Sequence, residues 1–266
     1  MELTGYIVAV LIGISLGLIG GGGSILTVPV LVYLFRTEPV LATTYSLFIV
    51  GVTSLAGGTK AYMNHLVDFR AVSLFGIPSI LTVFIARHFI LPAIPQHIAQ
   101  VGAVSIDKGS LLMLLFALLM LVAALSMMRH GKNAGTEPDG GHQTQGNPLS
   151  LLVPGLLVGL VTGILGAGGG FLIIPALVLL VGLSMKTAVG TSLLIIAINS
   201  IFGFIFSLGH YPLQWPFLLG FTGLAVAGVF AGSRIGTRMD SQSLKKWFAW
   251  FVLAMSAYIL LREFIF

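Results

Sequence analysis

The sequence predicts an all-α, polytopic integral membrane helix bundle made of two internal repeats, and three observations carry that prediction. The 266 residues are 57% hydrophobic and only 8% charged, with a mean hydropathy of +1.06, whereas a soluble domain carries about a quarter charged residues. The apolar residues gather into long stretches and do not alternate as barrel strands would. The pattern of the first half also returns in the second. Water would meet too few charges to keep so much apolar surface dispersed, which excludes an ordinary soluble enzyme. Cysteine is absent, which removes disulfides, thiolate metal sites and thiol nucleophiles. The formal charge of +5 comes from Lys and Arg scattered singly at the ends of apolar stretches, as in basic loops at a membrane surface, and not from a clustered nucleic-acid-binding face.

Eight stretches run at roughly 5–35, 40–63, 71–94, 110–128, 149–182, 187–209, 216–235 and 247–265, each near or above the ~20 residues a spanning helix needs. Backbone in lipid must satisfy its own hydrogen bonds, so each stretch is read as helix, for 7–8 transmembrane helices. The N-terminus carries Glu2 and no early Lys or Arg, unlike a secretory signal, so Gly5 to Phe35 is expected to be retained. Residues 1–128 form the first repeat, 129–148 a polar linker with nothing to build a core, and 149–266 the second repeat. A shift of 146 positions pairs 13–34 with 159–180 without a gap and gives ten identities in 22 positions, among them Gly17 with Gly163, Gly20 with Gly166 and Pro29 with Pro175. The same register continues through Ala42 with Ala188, Ser46 with Ser192, Ser54 with Ser200 and Gly57 with Gly203.

The first stretch of each repeat is too long for one straight crossing: about 31 helical residues reach ~46 Å, against a hydrocarbon core of ~30 Å. Each holds a glycine cluster, Gly20-Gly21-Gly22-Gly23-Ser24 and Gly166-Ala167-Gly168-Gly169-Gly170, and each Gly disfavours helix by up to ~1 kcal/mol relative to Ala. The helix is therefore expected to break there. A kinked crossing would give an even number of crossings per half and parallel repeats; a re-entrant hairpin would give an odd number and inverted repeats. Both are compatible with the residues.

A new helix starting at Ser24 or Gly170 would present amides without intrahelical partners and the positive end of its dipole, which attract an anion, while glycine lets a solute reach the backbone. Gly22, Gly23, Ser24, Gly168, Gly169 and Gly170 are thus the candidate binding residues. The next stretch of each repeat bears a polar stripe at helical spacing: Thr43, Ser46, Val50, Thr53, Gly57 and Lys60 in one, Ser192, Ile196, Asn199 and Gly203 in the other. Neutral hydroxyls and amides suit an oxyanion because they donate without burying a full charge. Ser46, Ser192 and Asn199 are expected to line a pocket where the two broken helices meet. The bland reading is small-residue packing and hydroxyls bonded to their own helix.

None of the eight carboxylates lies mid-stretch. Lys60, His65, Asp68, Arg70, Arg87, His88, His210 and Arg234 stand near stretch ends, where an interfacial or snorkelling role is the ordinary one. Trp215, Trp247 and Trp250 fit an aromatic belt. If every stretch crosses once, Arg36, Arg87, Lys108, Lys186, Arg234, Arg238, Lys245 and Lys246 share one side, against Lys60, Arg70, Arg129, Lys132 and Arg262. The larger group would be cytoplasmic, with both termini outside. No localised nucleophile-His-carboxylate set, phosphate loop or metal-spaced His pair is present, so no catalytic residue, metal site or cofactor is expected. The glycine clusters lack the flanking strand and βαβ unit of a dinucleotide fingerprint.

The run Gly17-Leu18-Ile19-Gly20-Gly21-Gly22-Gly23-Ser24 with Pro29, the stretch Ala42 to Leu47, and in the second half Gly163 to Gly170 with Pro175 and Ala188 to Leu193 resemble the sulfite exporter TauE/SafE family across nearly the whole chain. The resemblance implies a multi-pass permease of the bacterial inner membrane, exporting sulfite, sulfoacetate or another organosulfur anion. The second half departs at Ala167 and at Gly170, where the first has Gly21 and Ser24, so a site would be only approximately symmetric. The expected function is a non-enzymatic permease for a small anion, with the lipid bilayer as surroundings, no nucleic acid partner, and a homo-oligomer left open. The rivals are an intramembrane enzyme or assembly factor for a lipid or quinone, which would call for a catalytic His or carboxylate at depth, and a metal-ion transporter, which would depend on Met127, Met128 and His130.

Overall fold

A computed structural model describes residues 2–19, 24–101, 104–130, 149–166, 169–209, 212–236 and 241–265. Helix α1 is Glu2–Ile19 and α2 is Ser24–Pro29, which runs on as a π-helical turn over Val30–Leu34. Next come α3, Pro39–Met63, and α4, Phe69–Ile85, which continues through a π turn, Ala86–Ile90, into α5, Leu91–Ala93. A hairpin of β1, His97–Val101, and β2, Val104–Asp107, leads to α6, Lys108–His130. The second half holds α7, Leu149–Leu165; α8, Gly170–Val181; α9, Met185–Ser207; α10, Trp215–Gly236; and α11, Ser241–Ile265.

Each apolar stretch contains helix among the described residues, and four of those helices are long and apolar enough to cross a membrane: Pro39–Met63, Phe69–Ala93, Lys186–Ser207 and Trp215–Ile235. Shorter apolar helices include Gly5–Leu18 and Leu151–Leu165. The fold is all-helical apart from one short antiparallel hairpin among the described residues. Its residues 97–107 fall between two apolar stretches, and its ends are held by His97 Nδ1 and Asp107 Oδ1 at 2.8 Å.

Local chemistry sets the boundaries. Pro39 opens α3 at a position where a missing N–H costs nothing. Asp68 caps α4 by accepting from the Ala71 amide at 2.9 Å, and the Ser184 hydroxyl caps α9 by accepting from Thr187 at 3.3 Å. Gly182, at φ 74°, closes α8.

The end of the bundle carrying Pro39 is termed the near face and the end carrying Met63 the far face. A Cβ at Gly51 would meet Ile201, at Gly57 Leu193 and at Gly58 Leu194, so α3 and α9 run antiparallel. The Asp68 amide donates to Thr191 Oγ1 at 2.9 Å on the far side, and the Gln214 amide donates to Tyr45 Oη at 2.8 Å on the near side. Helix α7 lies parallel to α4, with Gly155 against Phe75, Gly159 against Ser79 and Gly163 against Val83 and Ala86. Helix α1 lies parallel to α10, with Gly13 against Ala225 and Gly17 against Val229. At Gly13 and Gly159 an added Cβ would run into the facing backbone carbonyl, so only glycine permits the approach. Because α4 descends to the near face and α10 rises from it, α1 and α7 point in opposite directions. Phe35, which follows the π turn of α2, packs back onto Gly5 and against Phe217 at 5.0 Å, both near the start of their helices. Helices α6 and α11 pack together, and Ser256 Oγ donates to the Ala117 carbonyl at 2.9 Å.

Candidate functional site

At the end of α7 the chain leaves helical geometry. Gly166 and Gly169 both take φ 68°, the left-handed region that glycine enters without a Cβ penalty. Gly169 precedes α8 without a capping side chain; its carbonyl accepts from the Leu172 and Ile173 amides at 2.9 and 3.0 Å, and the Gly170 and Phe171 amides, in the first turn, precede any intrahelical acceptor. Any Cβ on Gly166 would collide with Thr43, and any on Gly169 with the Thr162 hydroxyl. Glycine therefore brings α3 and α7 to the break itself.

Polar groups converge there. Arg87, only 3% exposed, is carried into the interior by the π turn that ends α4, a distortion that often marks functional positions. Its Nη1 donates to Thr43 Oγ1 at 3.2 Å and to Thr44 Oγ1 at 3.4 Å. Thr162 Oγ1 is buried with no protein hydrogen-bond partner, and Ser46 Oγ, one turn along α3 from Thr43, is in the same condition. Further toward the middle, Asn199 Nδ2 donates to Ser79 Oγ at 2.6 Å, leaving Asn199 Oδ1 without a protein partner. Ser54, Ser200 and Thr27 also bury unpartnered hydroxyls. In an apolar medium each such group is costly unless something pairs with it. The arrangement can offer hydrogen-bond donors and one buried cation to a small oxyanion.

The predicted residues are not all gathered in one place. Gly169, Gly170 and Ser46 sit toward the near face with Arg87, Asn199 lies mid-bundle, and Ser192 lies toward the far face, where its hydroxyl donates to its own helix at Val189 O, 2.8 Å away. Ser24 begins α2. Gly22, Gly23 and Gly168 lie outside the described residues. Gly166 faces Thr43, whereas Leu16, Gly17 and Leu18, at the end of α1, stand beside Lys60. Thr43 and Lys60 are about five turns apart on α3, roughly 25 Å. The cause is the opposite pointing of α1 and α7.

Sequence reasoning placed Arg87 at an interface and passed over Ser79, Thr27 and Thr162. Thr162 was within reach as the lone polar residue of 151–165, four positions before the glycine cluster. Ser79 had no such signal, because its meaning depends on Asn199, 120 residues away.

Apolar helices of spanning length, the left-handed glycines Gly166 and Gly169 between α7 and α8, and a buried polar seam between helices fit one class, a polytopic membrane transporter. The family described as "Sulfite exporter TauE/SafE" matches residues 6–259, and the chain belongs to it. A probable membrane transporter protein of Xylella fastidiosa (strain Temecula1) is 31% identical over 95% of this chain and 92% of its own length. A probable membrane transporter protein of Haemophilus influenzae is 27% identical over 96% and 97%, and the probable membrane transporter protein YunE of Bacillus subtilis is 27% identical over 90% and 91%. No solved structure matches.

Proposed function

We propose that the chain is a bacterial inner-membrane permease exporting sulfite or an organosulfonate such as sulfoacetate. The observation that carries this reading is the near-face cluster, where Arg87 donates to Thr43 and Thr44, Gly166 packs on Thr43, and Gly169, just before α8, packs on Thr162. A guanidinium and the amides of a helix start favour an oxyanion over a cation or a lipid tail. Gly168, Gly169 and Gly170 would hold the anion on one side, with Gly22, Gly23 and Ser24 as the corresponding group on the other. Ser46, Asn199 and Ser192 would line the path between them.

The same shift of 146 positions supports a duplicated, inverted architecture. It carries the pair Gly159–Ser79 onto Gly13–Ala225, and Gly163–Val83 onto Gly17–Val229, with the halves exchanged. The corresponding helices α3 and α9 run antiparallel, as a two-fold axis lying in the membrane plane between them would require. On this reading each glycine break turns its stretch into a hairpin that returns to the face it came from, leaving three crossing helices per half. Alternating movement of one half against the other would expose the two clusters in turn.

The test is flux from liposomes loaded with radiolabelled sulfite, sulfoacetate or sulfate. The parent should release at least one of the sulfur anions, and Asn199→Leu should slow release about tenfold while still eluting as a folded species. No flux of any anion from the parent would overturn the reading.

A further inference from the structure

A cavity of about 80 Å³ lies at the far end of α1, against Leu16, Gly17 and Leu18, well above the ~10–15 Å³ that one water needs. Gly17 and Gly57 leave it room, Val189, Leu193 and Val229 give it apolar walls, and its polar lining is Lys60 and Ser233. The Lys60 ammonium donates to Ser233 Oγ at 2.9 Å, while that hydroxyl donates its own proton to Phe230 O at 3.0 Å. The serine thus aims the ammonium and leaves its other hydrogens to the cavity. Among the described residues no carboxylate stands within ion-pair distance of Lys60. A cation in an apolar cleft without a counter-charge is a site for an anion.

The helix directions also place this cleft relative to the cytoplasm. Lys60, Arg70, Arg129, Lys186, Arg234, Lys245 and Lys246 stand at helix ends on the far face, against Arg36, Arg87, Lys108 and Arg262 on the near face. This sorting replaces the one obtained by letting every apolar stretch cross once, and it is more lopsided. Basic residues mark the cytoplasmic side, so the far face is cytoplasmic.

We propose that Lys60 and Ser233 form the cytoplasm-facing capture site for the transported oxyanion, a charge-anchored site separate from the Arg87 cluster; the proposal rests on the permease reading above. Half-saturation for sulfite is measured with the anion presented from each face of oriented vesicles. Lys60→Gln should raise it about tenfold or more on the far face and leave the near face within twofold, Lys60→Arg should restore most of the loss, and Ser233→Ala should give a smaller rise. Because the chain has no cysteine, orientation is read independently by single-cysteine labelling. In intact cells a membrane-impermeant maleimide should label His97→Cys and reach Asn64→Cys only after permeabilisation. A parent inactive toward every anion overturns the permease reading and this site with it. An active parent with Lys60→Gln unchanged, or the reverse labelling pattern, overturns this site alone.

Discussion

Asn199 has one amide hydrogen bond to Ser79 and a carbonyl oxygen with no protein partner, both fully buried. Its place in a polar stripe made it readable from sequence as a lining residue, because an amide in the middle of an apolar helix stands out. Arg87 was misjudged because a basic residue near the end of an apolar stretch ordinarily reaches for the interface, and a π turn cannot be read from hydropathy. Removing the Ser79 hydroxyl frees the Asn199 amide but deletes no charge. Ser79→Ala should therefore lower stability by only about 1 kcal/mol, seen as a small drop in thermal midpoint, while altering anion selectivity. Arg87→Met removes the cation from the near-face cluster and should cut sulfite flux by about two orders of magnitude. Arg87→Lys should recover only part of that, since an ammonium cannot reproduce the planar fork over two threonine hydroxyls.

The helices pack through glycine faces, and the positions of those glycines separate structure from tolerance. Gly159 lies against the Ser79 backbone, so Gly159→Val should wedge α7 from α4 and abolish the monodisperse peak in detergent size-exclusion chromatography. Gly220, on α10, has nothing within 4 Å of an added Cβ. Gly220→Ala should leave flux unchanged and stabilise α10 by up to ~1 kcal/mol, read as a modest rise in thermal midpoint. Both are glycines inside apolar stretches, and the sequence alone does not tell them apart. All eight apolar stretches were readable because length and hydropathy suffice to mark a buried helix. The β1–β2 hairpin was not, since eleven residues of mixed polarity between two helices read as loop.

Direction is the property that hydropathy lacks, because an apolar helix has the same composition whichever way it runs. The choice between a kinked crossing and a hairpin needed the contact partners of Gly51, Gly57, Gly155 and Gly159, which lie in the other half of the chain. Four of the main helix pairings, α1 with α10, α3 with α9, α4 with α7 and α6 with α11, join one half to the other. Neither half should fold by itself. Separate expression of residues 1–135 and 144–266 should yield aggregates, whereas co-expression should restore a complex that transports the parent's anion; stable, monodisperse single halves would contradict this.

The pairing of α1 with α10 also bears on how the chain is made. The ribosome releases α1 long before α10, the helix that covers Gly13 and Gly17. Through the synthesis of everything between them that notched surface must face lipid or an insertion factor, and it is sealed only when α10 arrives.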